Sequence, residues 1–318
     1  MINTAIFLNV LSLAVVSAWF ALLLQLLVSG FLVRKVALLP AGWQKTLLTS
    51  WVLLPVLVGA LCSGAFMLYA FTDVMWPPLE MFIHWHHLFE FEWLSWHGSL
   101  LVIWAVATIW ILLRHIRLLN HHKQSLQSVS LMADANAAQL NGYNYILLET
   151  SIPLAFTAGM LRPMVYLSTG LTERVTRDEL ACIVAHEAGH KRYFDPLQKW
   201  LFSIVSAYYP RAIRRPLRQA FELATELRAD SQAAEQVGAL NVASALVAYR
   251  RSAQHCPVPF AFSFGEDFVS QRVHALLEPA KFHFQIPVII SLLAAAVLFT
   301  NLLSIDSIHH YIELILPF

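Results

Sequence analysis

The sequence predicts a mainly α-helical, polytopic membrane protein with about four transmembrane helices. One soluble-like domain, mainly α with a small β-sheet, is expected between the third and fourth. Three observations predict this. Hydrophobic residues make up 58% of the 318 and charged residues 13%, against the roughly 25% charged residues usual in soluble domains. Four apolar runs reach the roughly 20 residues that a bilayer-spanning helix needs. A single stretch between the last two runs is polar enough, and long enough, to build a core of its own.

The runs cover about residues 5–33, 47–71, 100–119 and 286–303. The first lacks a basic leader and is longer than the apolar part of a signal peptide, so it is expected to be a retained anchor. The chain then divides into a membrane domain at 1–119, an inserted domain at 120–284, and a fourth span with a short tail at 285–318. Loop charges orient the spans. Arg34, Lys35 and Lys45 follow the first span, and Arg114, Arg117 and Lys123 flank the end of the third. The 72–97 loop has no Lys or Arg and carries Asp73, Glu80, Glu90 and Glu92. Both termini are therefore expected outside and the inserted domain in the cytoplasm. Trp43 and Trp51 read as interfacial anchors, and His121 and His122 as part of a basic collar with Lys123. A net charge of +1 gives no reason to expect nucleic acid. Cys62, Cys182 and Cys256 form neither a disulfide framework nor a zinc knuckle.

Within the inserted domain, Tyr145–Leu148 and 164–167 read as short strands. Thr176 and Glu179 read as a capping box opening the helix that bears His186-Glu187-Ala188-Gly189-His190. Histidines at i and i+4 share one helical face, so both imidazoles can reach one cation, and Glu187 can address a water held by it. A catalytic zinc takes three protein ligands. A third histidine would fall six residues after His190, where Pro196 stands. The other solution is a glutamate from a downstream helix, which Glu226-Leu227-Arg228-Ala229-Asp230 offers. Glu222 competes for that role. Asp230 is a candidate to hold a ligand histidine, or else a salt-bridge partner of Arg228 or another nearby base. Asp195 is a second candidate for holding a histidine, or else a helix end before proline. These residues predict a gluzincin-like site with one Zn2+ per chain, Glu187 serving as general base. A closed, structural zinc is the alternative, with His255, Cys256 and His274 as the available further ligands.

The run Phe156-Thr157-Ala158-Gly159-Met160-Leu161-Arg162-Pro163, the HEAGH helix with its continuation to Asp195-Pro196, Tyr209-Pro210, the Glu226–Asp230 pentapeptide, Phe264-Gly265 and Arg272-Val273 together resemble the BlaR/MecR-type membrane zinc metallopeptidases of bacteria. The resemblance implies an inner-membrane endopeptidase whose cytoplasmic zinc domain lies between the third and fourth spans. His186, His190 and Glu226 would bind zinc, and Glu187 would be catalytic. The substrate would be a cytoplasmic repressor, the chain itself or a membrane protein, cut in signal-regulated proteolysis. It also implies an edge strand near Gly159, Arg162 and Val165 that pairs with extended substrate. The sequence ends at Phe318 without a penicillin-binding domain and contains no Ser-x-x-Lys, so β-lactam acylation is not the expected input. HtpX-type and prenyl-protease membrane peptidases share the HExxH and Glu-x-x-x-Asp pattern and are the nearest enzymatic alternative.

On the predicted outer side, His84, His86, His87 and His97 lie among aromatic residues, and His309 and His310 stand in the tail. They are candidates for metal or pH sensing; the alternative is an interfacial aromatic segment with histidines on its polar face.

Overall fold

The computed structural model describes residues 4–71, 90–130, 133–140, 142–253 and 268–315. His84, His86, His87, His255 and Cys256 lie outside them. Among the described residues the helices are α1 (Thr4–Val36), α2 (Ala41–Phe71), α3 (Trp96–Ser130), α4 (Thr169–Thr172), α5 (Arg177–Arg192), α6 (Asp195–Val205), α7 (Arg211–Val237), α8 (Ala239–Ala253), α9 (Val269–Leu277) and α10 (Gln285–Ile315). The strands are β1 (Ala133–Leu140), β2 (Tyr143–Leu148), β3 (Ala155–Ala158) and β4 (Met164–Ser168). The chain is therefore mainly helical with one small sheet. It folds as two compact units, Met1–Arg34 with Thr49–Arg114 and Phe284–Phe318, and Lys35–Leu48 with His115–His283.

In the first unit, α1, α2, α3 and α10 are long and apolar enough to cross a membrane. Each helix outruns its apolar run. In α2 the backbone N–H groups of Trp43 and Gln44 bond the Pro40 carbonyl, so the helix starts at Ala41. α3 continues to Ser130 because no Gly or Pro interrupts it after Gly98. Apolar packing joins Leu13, Val16, Phe66 and Trp96, and separately Ala21, Val58, Cys62 and Val297. Polar side chains buried among these helices bond backbone carbonyls, the partners available where water is absent. Asn301 Nδ2 donates to Ser17 O at 2.8 Å, and Gln25 Nε2 to Trp51 O at 2.8 Å. Trp51 is buried at 2% exposure, in contrast to its expected place as an interfacial anchor.

In the second unit the strand order is β1-β2-β4-β3, with β2 and β4 parallel and the two outer pairs antiparallel. Val165 and Leu167 alternate onto the buried face of β4 and pack on Leu171, Ile183 and Val184. This apolar contact seats α5 on the sheet. The order corrects the predicted edge strand: β4, which carries Val165, is paired on both sides, and among the described residues the edge beside α5 belongs to β3. Gly159 and Arg162 lie in the turn between them. Gly159 has φ 108, and a Cβ there would stand 2.6 Å from the Arg162 carbonyl oxygen, so this turn needs glycine.

Candidate metal centre

The helix α5 opens with a complete capping box: Glu179 N–H donates to Thr176 Oγ1 at 3.3 Å, and Thr176 N–H donates to Glu179 Oε2 at 2.8 Å. It ends at Arg192. Phe194 then takes a left-handed conformation (φ 52), alone among the described non-glycine residues. For a bulky side chain this is strained backbone. The strain reverses the chain so that Asp195, the first residue of α6, returns beside His190. The Asp195-Pro196 step thus starts a helix instead of ending one, Pro at the first turn being compatible with helix entry.

α5 crosses α7 at Gly189. A Cβ added there would lie 3.1 Å from Ala229 Cα, so glycine permits the close approach that brings Glu226 to the histidines. His186 Nε2 and His190 Nε2 lie 3.1 Å apart, and Glu226 Oε2 lies 3.5 and 3.7 Å from them. Among the described residues this trio is the group able to hold one metal ion. Glu222, one turn earlier, instead pairs with Arg218 at 3.5 Å.

The remaining imidazole nitrogens are both engaged. His186 Nδ1 lies 2.8 Å from Asp230 Oδ1, and His190 Nδ1 lies 2.8 Å from Asp195 Oδ2. With each Nδ1–H donating to a carboxylate, the Nε2 atoms of the two neutral imidazoles are acceptors aimed at one another and at a third acceptor, Glu226. Such an arrangement is repulsive until a proton or a metal cation lies among them. Two nitrogens about 2.0–2.1 Å from one tetrahedral zinc would be about 3.3–3.4 Å apart, close to the separation here. The residues therefore fit a metal of this kind.

Charge around the trio is compensated residue by residue. Arg272, on α9, donates through Nε and Nη2 to the two oxygens of Asp230, both at 2.7 Å, and its Nη1 is 3.4 Å from Glu226 Oε2. Lys199 Nζ bonds Glu226 Oε1 at 3.1 Å, and Lys45 pairs with Asp195. Burial alone would raise the Glu226 carboxyl, but the charges of Lys199 and His190 and its bonds to both histidines hold it well below the usual range. Burial likewise opposes ionisation of Asp230 and Asp195. Arg272 and His186 outweigh it at the first, and His190 and Lys45 at the second, so both stay low. Burial would also push His190 down; Glu226, Asp195 and Glu187 override it and raise it to about 9. The pocket thus favours positive charge at the position the trio faces.

Glu187 is buried beside the trio, and Thr157 on β3 reaches it. Thr157 Oγ1 lies 2.7 Å from Glu187 Oε2 and 2.8 Å from its backbone oxygen, and its single proton can be donated to either. A model described as BlaR1 peptidase M56 matches residues 43–209. The chain belongs to this family. No curated protein matches it. Membership makes this M56 protein a metallopeptidase, and its four apolar helices suggest a membrane one. The match spans Lys45, Thr157, His186, Glu187, His190 and Asp195, whereas Glu226, Asp230 and Arg272 follow it.

Thr157, Lys45, Lys199 and Arg272 were not singled out for the site from sequence. Lys45 reads there as a loop charge and Thr157 as one residue of the Phe156–Pro163 run that carries the resemblance. Of the outer histidines, His84, His86 and His87 lie outside the described residues. His97 sits on the first turn of α3 instead of in a loop, buried, with Nδ1 3.4 Å from Ser12 Oγ and its ring against Trp96. His309 and His310 fall on α10, where His310 is exposed. His274 is exposed and lies 3.6 Å from Glu278, away from the trio.

Proposed function

We propose that this M56 protein is an integral-membrane, zinc-dependent endopeptidase that cuts a cytoplasmic or membrane protein in signal-regulated proteolysis. The carrying observation is the trio itself: two Nε2 acceptors 3.1 Å apart facing a buried carboxylate oxygen, with Glu187 beside them. His186, His190 and Glu226 would hold one Zn2+, as in gluzincins. When bound, the ion supplies Lewis acidity that polarises a peptide carbonyl and lowers the pKa of water toward neutrality.

The chain's own residues do the rest. Glu187 removes the proton from the attacking water and returns it to the leaving amine. Thr157 can hold Glu187 Oε2, leaving the other oxygen to face the water. Asp230 and Asp195 keep each imidazole in the tautomer that presents Nε2. Extended substrate would add to the edge of β3 as an antiparallel strand, its main chain passing Thr157 and Glu187.

The working domain would be residues 120–284, between the third and fourth spans, on the cytoplasmic face of a bacterial inner membrane with both termini outside. Two features support that side. The basic 34–45 segment follows the positive-inside rule, and its residues from Lys35 onward belong to the unit that contains the trio. Substrates consistent with this placement are a cytoplasmic regulator or the chain itself.

The test pairs two variants in the full-length protein. Glu187→Gln should keep one zinc and lose cleavage, whereas Glu226→Ala should lose the zinc. Comparing new protein N-termini in cells with wild type and Glu187→Gln would name the substrate and bond. Cleavage retained by Glu187→Gln overturns the mechanism.

A further inference from the structure

Lys45 reaches the metal centre from a helix that carries none of its candidate ligands. It lies in the second turn of α2, 150 residues from Asp195, and both side chains are almost wholly buried. The Asp195 carboxylate is divided between two partners. Oδ1 takes Lys45 Nζ and Oδ2 takes His190 Nδ1. A carboxylate held at both oxygens has its plane set, and with it the direction from which it grips the imidazole. Lys45 also lies over the Phe221 ring, 5.5 Å from its centroid, on the helix that carries Glu226.

The start of α2 is embedded around this contact. Leu39 and Leu48 are fully buried, and Gln44 Nε2 donates to the Leu39 carbonyl at 2.7 Å. A buried ammonium or carboxylate is costly without its counter-ion, so Lys45 and Asp195 each stabilise the other in this place. The other ligand histidine is served differently. His186 is held by Asp230, which is braced by Arg272 from the short helix α9. The two imidazoles are thus steadied through carboxylates by cations from opposite ends of the sequence, and one of those cations stands on a candidate membrane span.

Resting on the zinc-peptidase reading, we propose that Lys45 is a positioning residue of the metal centre. It orients the Asp195 carboxylate that holds His190. The placement of the first turns of α2, a helix that continues to Phe71, therefore sets the affinity of the site for its metal. Displacing those turns would withdraw the cation from Asp195 and loosen His190 without touching any ligand.

The experiment uses the full-length protein in mild detergent. Zinc affinity is measured by competition with a chromogenic chelator, the Co2+-substituted protein gives an absorption spectrum, and thermal melting of the metal-free form is recorded separately. Lys45→Met should weaken zinc binding about 10–100-fold and alter the Co2+ spectrum, and Lys45→Arg should recover part of both. Lys45→Met in an Asp195→Asn background should weaken binding little further, because the effect passes through that carboxylate. Wild-type affinity and spectrum in Lys45→Met overturn the proposal even if the melting temperature falls, since a merely structural lysine would move only the melt. If Lys45→Met does not fold, Lys45→Arg and Lys45→Gln decide, and wild-type values in both overturn it. Failure of the wild type to bind zinc, or binding unchanged by His186→Ala, would instead overturn the zinc-peptidase reading itself.

Discussion

Removing Asp230 should destabilise the metal-free protein mainly through the cation it leaves behind. Asp230 is 1% exposed and accepts two bonds from Arg272 at 2.7 Å, while its Oδ1 also lies 2.8 Å from His186 Nδ1. In Asp230→Ala, Arg272 stays buried with Glu226, 3.4 Å away, and the more distant charge of Glu187 as its remaining anions at the centre. Breaking one side of a buried pair costs about 3–5 kcal/mol, a large share of the 5–15 kcal/mol that is typical of a folded protein. Arg272→Met should fall at or below the lower end of that range, because His186, whose pKa is raised chiefly by Asp230 against the effect of burial, can still answer the orphaned carboxylate. The double variant removes both charges. Its cost should approach that of the larger single change, a coupling of up to about 3 kcal/mol. Urea unfolding of the metal-free protein in mild detergent, followed by tryptophan fluorescence, measures all three. Single-variant costs that add to within about 0.5 kcal/mol would refute the reasoning, since independent sites behave that way.

Gly189→Leu should separate α5 from α7, because even a Cβ would stand 3.1 Å from Ala229 Cα. Zinc affinity should fall at least about tenfold, as expected for disturbed ligand placement, with little change in helical circular dichroism; unchanged affinity would show that this contact does not set the spacing. Thr157→Val should leave zinc affinity alone and lower kcat about 10–100-fold, the equivalent of losing a hydrogen bond to a charged group worth about 1.5–3 kcal/mol. Equal kcat in the variant would remove Thr157 from the mechanism. Acid should weaken the metal-free protein through Asp195 and Asp230, both held below the ordinary value of 3.8. Their stabilising contribution is complete above that value and is lost as pH falls through the lowered ones. The thermal midpoint should therefore drop below about pH 3.8, and by less in Asp195→Asn/Asp230→Asn than in wild type.

Much of the architecture is local and legible in the sequence. The four long helices follow from apolar runs that no soluble fold would expose, and the Thr176–Glu179 box marks the start of α5 from residue types alone. The pairing of His186 with His190 is equally local, because helical periodicity puts i and i+4 on one face. Strand order was not legible. The 164–167 run has the alternation of a strand, but nothing in that alternation says that β3 pairs outside β4 and takes the edge. Apolar runs do not mark helix ends, since α2 and α3 continue through polar residues wherever no breaker intervenes. Trp51 and His97 show the same limit on single residues: both types are common at membrane interfaces, and here both are buried by neighbours distant in sequence.

Composition, hydrophobic run length and helical periodicity determine, from the sequence by itself, a helical membrane chain with two histidines and a glutamate on one helix. They depend on neighbours a few residues apart. Tertiary structure alone set Thr157 against Glu187. It also braced Asp230 with Arg272 and sent Lys45 across 150 residues to Asp195. Those outcomes depend on which helices cross, and a charge that reads as an ordinary solvated lysine in the chain acquires its role only when packing removes the water around it.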